Sequence, residues 1–329
     1  MREIDLMSIK GFKIGHYSDF EAATGCTVII CDKMCPAGVD IRGGGPASRE
    51  SQLLNPLMAA GEINGVLLSG GSAFGLDAAG GVLEYLSENG IGLDVGGIRV
   101  PLVPESCIFD LGVGRGDVRP DKAAGRKACE NASYDSVVRG NVGAGTGASV
   151  GKCCGMERAM KSGVGTFAVE VGDLKVGAIV VVNAVGDIFE DGKAIAGLIN
   201  EAGDGISSSF NQILKWQELR SKGNTLADIP NENSRANTTI GAIITNAKFD
   251  KSMLCKIAGM AHNGYGRAIN PVHSMMDGDS IYALSVGDVN SDVNTVGMLA
   301  AYVMEKAIID GVKQAKPAYG LKAYEDFNQ

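Results

Sequence analysis

Short apolar runs alternate with longer amphipathic segments along most of the chain, and this pattern predicts strands mixed with helices. Runs that are rich in β-branched residues and too short for helices predict buried strands at 26–31, 65–69, 165–171, 176–182, 240–245 and 281–286. Apolar positions at helical spacing predict helices at 76–89, 252–268 and 292–313. The pattern itself therefore predicts an α/β or α+β domain.

One polar segment, 215–236, interrupts this pattern shortly before an apolar strand. It is rich in Lys, Glu, Asn, Ser and Arg and contains Gly223 and Pro230, so it predicts an exposed loop. Thr238 follows at the mouth of the strand 240–245, where a rigid element holds a catalytic group well. An ordinary junction, in which threonines bind loop backbone groups, has the same pattern. Thr238 therefore needs chemical partners to be a candidate nucleophile.

The chemistry available to Thr238 depends on the bond that precedes it. Attack of its hydroxyl on the Asn237 carbonyl would give an ester that water can hydrolyse, and a new chain would begin with Thr238. A free α-amino group has a pKa of roughly 7.7 to 8.0, so much of it is neutral near pH 7. Thr238 would then carry its own general base.

Two other polar features could supply its partners. Asp277 and Asp279 flank Gly278 before a predicted strand, where a carboxylate could orient an ammonium or hydroxyl group, although Asp and Gly are also the commonest turn formers. Asn183 lies in the apolar run 176–185, where an unbonded amide would cost roughly 1 to 3 kcal/mol. It could cap the strand end or direct its NH2 group at an oxyanion.

Six further motifs occur in a fixed order along the first half of the chain. They are His16-Tyr17-Ser18-Asp19, Gly25-Cys26-Thr27-Val28, Arg42-Gly43-Gly44-Gly45-Pro46, Leu68-Ser69-Gly70-Gly71-Ser72-Ala73-Phe74-Gly75-Leu76-Asp77-Ala78, Val100-Pro101-Leu102-Val103-Pro104 and Gly140-Asn141-Val142-Gly143-Ala144-Gly145-Thr146-Gly147-Ala148. With the Thr238 region, the chain resembles the self-processing aminopeptidases, which include the D-aminopeptidase/esterase, the β-aminopeptidases and the nylon-oligomer hydrolase. The resemblance covers nearly the whole chain and implies a four-layer αββα sandwich, with helices outside two stacked sheets.

The resemblance also implies how the chain is divided and which residues react. Thr238 would be the nucleophile exposed by autocleavage after Asn237, and Asn183 would support the oxyanion. We therefore expect a single catalytic domain, 1–329, that is cut into 1–237 and 238–329.

Three further site residues come from the nylon-hydrolase branch of the family. Lys161 matches a lysine that helps to hold the nucleophile there, and Asp277 and Asp279 match its acidic pair. Other members carry Ser and Glu at the acidic-pair positions and a Ser nucleophile, so this chain is more similar to the Thr branch. Taken alone, Lys161 would be a solvated lysine closing a helix before Gly163.

The resulting expectation is an aminopeptidase or amidohydrolase acting on a small peptide or amide. It would release an N-terminal D-, β- or small L-amino acid through an acyl-enzyme on Thr238. Acyl transfer is an alternative, because ornithine acetyltransferase resembles this fold and also cleaves itself at a Thr. A binding protein that keeps the scaffold without processing is another.

Charge and composition argue against several other classes of protein. The formal net charge of −8 argues against nucleic acid and anionic membrane partners. The N-terminal segment lacks an apolar signal core, and no run reaches the roughly 20 apolar residues of a membrane span, so we expect a cytoplasmic protein. The family resemblance implies a homo-oligomer, a tetramer or octamer of processed protomers.

The eight cysteines and three histidines have no metal-like spacing, so we expect reduced thiols, no metal site and no cofactor. The stretch 143–152 resembles a phosphate-binding loop. However, Thr146 stands where that motif needs its first glycine, and Cys153 replaces its Ser or Thr.

Overall fold

The computed structural model describes residues 1–222 and 237–327. Its strands are β1 (Arg2–Ile4), β2 (Phe12–Asp19), β3 (Thr24–Ile41), β4 (Ala47–Arg49), β5 (Glu62–Ser69), β6 (Leu93–Val95), β7 (Ile98–Val100), β8 (Glu105–Cys107), β9 (Ser149–Val150), β10 (Met160–Lys161), β11 (Val164–Val171), β12 (Leu174–Val181), β13 (Asp187–Glu190), β14 (Lys193–Ala196), β15 (Ile240–Ala247), β16 (Ile269–Asn270) and β17 (Ser280–Val289). Its α-helices are α1 (Ala78–Glu88), α2 (Lys122–Glu130), α3 (Ser209–Ser221), α4 (Lys251–Ala268) and α5 (Val293–Lys313).

Two main sheets are joined by the long strand β3. The first sheet has the order β1-β11-β12-β15-β17-β3, and the second contains β2, β3, β5, β8 and β4. The N-terminal part of β3 pairs with β2 and β5, whereas Ala37 to Ile41 pair with β17. The sequence predicted only 26–31 of this strand. The rest was missed because exposed Asp32 and Lys33 interrupt its apolar pattern.

Side chains of the first sheet alternate between two separate cores. In β12, Val176, Ala178 and Val180 pack with residues of α4 and α5, whereas Ile179 and Val181 pack with residues of the second sheet. This alternation follows from the two-residue period of a strand. Both faces of the strand are apolar because both are covered.

The second sheet has the same arrangement. Cys26, Val28 and Ile30 of β3 pack against α1 and α2, whereas Ile29 faces the core between the sheets. The layers are therefore α4 and α5, the first sheet, the second sheet, and α1 and α2. This is the αββα sandwich that the family resemblance implied.

The three predicted helices are confirmed as α1, α4 and α5. Two of them begin where an aspartate accepts a backbone N–H of the first turn: Asp250 accepts from Met253 at 2.9 Å, and Asp292 accepts from Thr295 at 3.0 Å. Such side chains satisfy donors that have no partner within the helix.

The prediction of a loop over 215–236 is wrong in its first part, because α3 continues to Ser221. Ser208 caps this helix by accepting the Asn211 N–H at 3.2 Å. Trp216 is buried beside Val185 and Leu198. The remainder of that prediction, 223–236, lies outside the described residues. Within the residues described, no helix has both the length and the apolar character that crossing a membrane requires.

Candidate active site

The order of strands in the first sheet brings distant parts of the sequence to Thr238. β15 is antiparallel to β12, with Ile240 opposite Val181, and parallel to β17, with Ile240 opposite Ser280. The residues just before β15 therefore lie beside those just after β12 and those just before β17. The same edge of the sheet thus receives the Thr238, Asn183 and Asp277–Asp279 segments.

Thr238 is buried, with 4% of its surface exposed. Its backbone N–H donates to the Asn183 carbonyl oxygen at 2.9 Å, and its hydroxyl donates to the Asn237 carbonyl oxygen. Gly278 packs so closely that a Cβ there would lie 2.8 Å from Thr238 Oγ1. The hydroxyl therefore lies against the carbonyl group of the peptide bond that precedes it, in a space with little freedom.

Asp279 holds the residue that follows Thr238. Its Oδ1 accepts the Thr239 N–H at 2.8 Å. Its Oδ2 accepts the His273 backbone N–H at 3.2 Å and lies 2.8 Å from His273 Nδ1. One buried carboxylate thus connects the start of β15 to the loop before β17.

Asp277 organises that same loop. Its Oδ2 accepts the Ser274 backbone N–H at 3.1 Å and also the Ser274 hydroxyl. Burial, reinforced by the neighbouring Asp279 charge, raises the pKa of Asp277 to about 6, while the Ser274 hydrogen bonds and Lys152 oppose the shift. The acidic pair is therefore buried and ordered by its own loop.

Asn183 is fully buried and both ends of its amide are hydrogen-bonded. Its Oδ1 accepts from Lys152 Nζ at 2.7 Å and from the Ser149 N–H at 3.1 Å. Its Nδ2 donates to the Phe109 carbonyl at 3.0 Å. Protein groups therefore bind the amide oxygen and one N–H of the amide nitrogen.

Lys152 is a site residue that the sequence reasoning missed. Its Nζ donates to the Asn183 carbonyl oxygen at 3.1 Å, and this is the same oxygen that accepts the Thr238 N–H. Burial lowers the pKa of Lys152 to about 7, against the raising effect of the Asp277 and Asp110 charges. The only signal in the sequence was the imperfect phosphate-loop motif, which pointed to another chemistry.

Lys161 is the remaining site residue that the family resemblance implied. It lies in β10, fully buried, so it is not a solvated lysine at a helix end. Its Nζ donates to the carbonyls of Gly145 at 3.0 Å, Ala148 at 2.9 Å and Ser162. Burial lowers its pKa to about 7. In the described part of the chain, its hydrogen bonds go to these backbone oxygens and none goes to Thr238.

The structure therefore brings together Thr238, Asn183, Asp277 and Asp279, and it adds Lys152 to them. Lys161 belongs to the layer behind Asn183: it pairs with Ser149 in the β9–β10 ladder, and Ser149 donates to Asn183. The described residues contain no group of three or more His, Cys, Asp or Glu side chains placed to hold a metal ion.

Comparisons with known proteins show the family to which the chain belongs. The sequence profile of peptidase family S58 matches residues 5–325. An uncharacterized aminopeptidase of Mycobacterium bovis is 33% identical over 349 residues, covering 98% of this chain and 97% of that protein. A 6-aminohexanoate-oligomer endohydrolase of Kocuria sp. is 29% identical, over 95% of this chain and 87% of its own.

A solved structure supports the fold. The L-aminopeptidase D-Ala-esterase/amidase of Ochrobactrum anthropi, described as a variant of the Ntn hydrolase fold, superposes with a TM-score of 0.68 at 19% identity. The superposition covers 98% of this chain and 92% of that one. These matches show that the chain belongs to peptidase family S58 and is a hydrolase of peptide or amide bonds.

Proposed function

We propose that the chain cleaves itself between Asn237 and Thr238 and then acts as an aminopeptidase with Thr238 as its nucleophile. The observation that carries this proposal is the contact of the Thr238 hydroxyl with the Asn237 carbonyl group. Both residues are buried, and the Thr238 backbone is tied to Asn183. A nucleophile held against one carbonyl gains the rate advantage of an intramolecular reaction.

The first stage is self-cleavage. Thr238 Oγ attacks the Asn237 carbonyl carbon, the bond from that carbon to the Thr238 nitrogen breaks, and an ester joins Asn237 to Thr238 Oγ. Water hydrolyses the ester, which leaves a carboxylate on Asn237 and restores the Thr238 hydroxyl. The products are chains 1–237 and 238–329.

This first stage needs a base other than the Thr238 nitrogen, which is still an amide. We assign the role of this base to Lys152, because its amine and the Thr238 N–H bind the same carbonyl oxygen. With a pKa of about 7, Lys152 is neutral in about half of the molecules at pH 7. It can accept the hydroxyl proton and return a proton to the departing nitrogen.

The second stage is turnover of substrate. The new α-amino group, with a pKa of roughly 7.7 to 8.0, serves as base for its own hydroxyl. Thr238 attacks the first carbonyl of the substrate, an acyl-enzyme forms, and water releases the amino acid. Asn183 is the proposed oxyanion donor: its Nδ2 carries two N–H groups, of which one donates to the Phe109 carbonyl and the other is assigned to the oxyanion.

The acidic pair, Asp277 and Asp279, is the proposed recognition site for the substrate's free amino terminus, because a carboxylate attracts an ammonium group. Small peptides and amides of D-, β- or small L-amino acids are the proposed substrates, and amide oligomers fall in the same class. We also propose a cytoplasmic homo-oligomer of processed protomers, a tetramer or octamer.

The intact mass of the purified protein under denaturing conditions tests the first stage. The wild type should give two fragments that meet between Asn237 and Thr238. Thr238→Ala should give one full-length chain, whereas Thr239→Ala, which keeps the N–H bound by Asp279, should be cut. A full-length wild type, or a cut Thr238→Ala variant, would contradict the proposal. Turnover by the cut protein that depends on an added amine acceptor would instead identify acyl transfer.

A further inference from the structure

A cluster of three rings, two of them buried and the third, His273, half-buried, lies behind Asp279. It consists of His262 and Tyr265, which are three residues apart on α4, and His273 from the loop before β17. The His262 and His273 ring centroids are 4.7 Å apart, and the Tyr265 ring stacks on His273 at 5.7 Å. The His273 ring is therefore fixed on two sides by α4.

Two groups of His273 contact the Asp279 carboxylate. Its backbone N–H lies 3.2 Å and its Nδ1 2.8 Å from the same Oδ2 atom. A carboxylate oxygen accepts, so Nδ1 carries the proton. The residue has φ of +58°, a conformation that is uncommon outside glycine, although asparagine, aspartate and histidine adopt it more often than other residues. This unusual backbone places both donors on one acceptor.

If the cluster had only a structural role, its unpaired polar atoms would lower the stability of the fold. Within the residues the structure describes, His273 Nε2, His262 Nδ1 and Tyr265 Oη are buried without a hydrogen-bond partner. Buried polar groups are usually paired, and apolar rings would fill the same space at lower cost. Burial lowers the pKa of His262 to about 4, so its ring is neutral near pH 7. The arrangement is explained if the contact with Asp279 is what the cluster serves.

We propose that His273 is a positioning residue for self-cleavage: its Nδ1–H holds the Asp279 carboxylate on the Thr239 N–H, and so keeps Thr238 against the Asn237 carbonyl. This inference rests on the proposed function. His273 touches neither of the reacting groups in the contacts described and acts only through Asp279.

The test compares two substitutions that are compatible with the positive φ at this position. Glycine and asparagine both accept a positive φ. His273→Gly removes the ring donor, whereas the side-chain amide of His273→Asn can donate from near the position of Nδ1. His262→Gln disturbs the same ring cluster and can keep a donor for the Asp40 carbonyl, which His262 Nε2 meets at 3.0 Å.

Samples are denatured at timed intervals after cell-free synthesis. The readout is the first-order rate constant for the appearance of the two fragments. His273→Gly should lower it by about 10- to 100-fold, the effect expected for a lost hydrogen bond to a charged group. His273→Asn should recover most of the rate, and His262→Gln, which disturbs the packing of the His273 ring but leaves its Nδ1–H in place, should lose much less than His273→Gly. Melting temperatures of the Thr238→Ala background, with and without each change, separate rate effects from unfolding.

Each outcome decides the inference. A wild-type rate in His273→Gly, or equally slow Gly and Asn variants of matched melting temperature, overturns it while the proposed function stands. Equal losses of rate in His273→Gly and His262→Gln would make the cluster a packing element and also overturn it. An uncut wild type would refute the proposed function, and the inference would fail with it.

Discussion

Gly278→Ala is a steric test of the site, because one added methyl group reaches the proposed nucleophile. The new Cβ would lie 2.8 Å from Thr238 Oγ1, 2.9 Å from the Gly45 carbonyl oxygen and 3.1 Å from Pro46 Cα. Favourable carbon contacts need about 3.5 to 4.0 Å, so the neighbours must give way by roughly 0.5 to 1 Å. The Thr238 hydroxyl moves more easily than the two backbone atoms. A reacting group misplaced by about 1 Å can lose about 100-fold in rate.

The assay is the same timed measurement of fragment appearance, with thermal melting alongside. We expect processing to slow by about 10- to 100-fold, together with an overpacking cost of about 1 to 3 kcal/mol in the free energy of unfolding. Gly45→Ala is the matched control: its Cβ would meet nothing closer than 3.8 Å, and neither glycine has a positive φ. Wild-type processing in Gly278→Ala would refute the packing that we describe around Thr238.

Three further predictions concern the polar groups. Lys152→Met should slow self-cleavage by at least about 100-fold in the timed assay, because it removes the proposed base. In the wild type, the cleavage rate should rise with pH between about pH 6 and pH 8: Lys152 has a pKa of about 7 and accepts a proton only when neutral, above that value. A midpoint near 6, in rate measurements across that range, would point to Asp277 instead. Asn183→Ala keeps the carbonyl that binds the Thr238 N–H, and it should lower turnover of a processed sample by about 100- to 1000-fold in a peptide hydrolysis assay.

The sequence predicted the elements whose signals are local. The helices predicted at 252–268 and 292–313 and the strand predicted at 176–182 need only neighbouring residues. Helix α2 was missed because its buried positions are small residues, such as Ala124 and Ala128, which give no apolar stripe.

The surroundings of the two lysines could not be predicted in the same way. Lys152 is buried between groups from distant segments, and its burial depends on strand order rather than on adjacent residues. Lys161 was assigned by family resemblance, which says nothing of the carbonyls that surround its amine. The meeting of Asn183 with Thr238 likewise follows from the antiparallel pairing of β12 and β15, which apolar patterning does not determine.

The position of β15 inside the first sheet governs what a cut at Asn237 would do to folding. The piece after the cut would contain β15, β17, α4 and α5. Its strands β15 and β17 pair with each other, and they pair on their outer sides with β12 and β3, which belong to the piece before the cut. Before the cut, folding is unimolecular. Afterwards the two pieces share a sheet and a core with no covalent link, so recovery from full unfolding becomes bimolecular and depends on protein concentration. A cut made before the fold is complete would therefore leave two pieces that have to find each other, whereas a cut made after folding would leave them already paired.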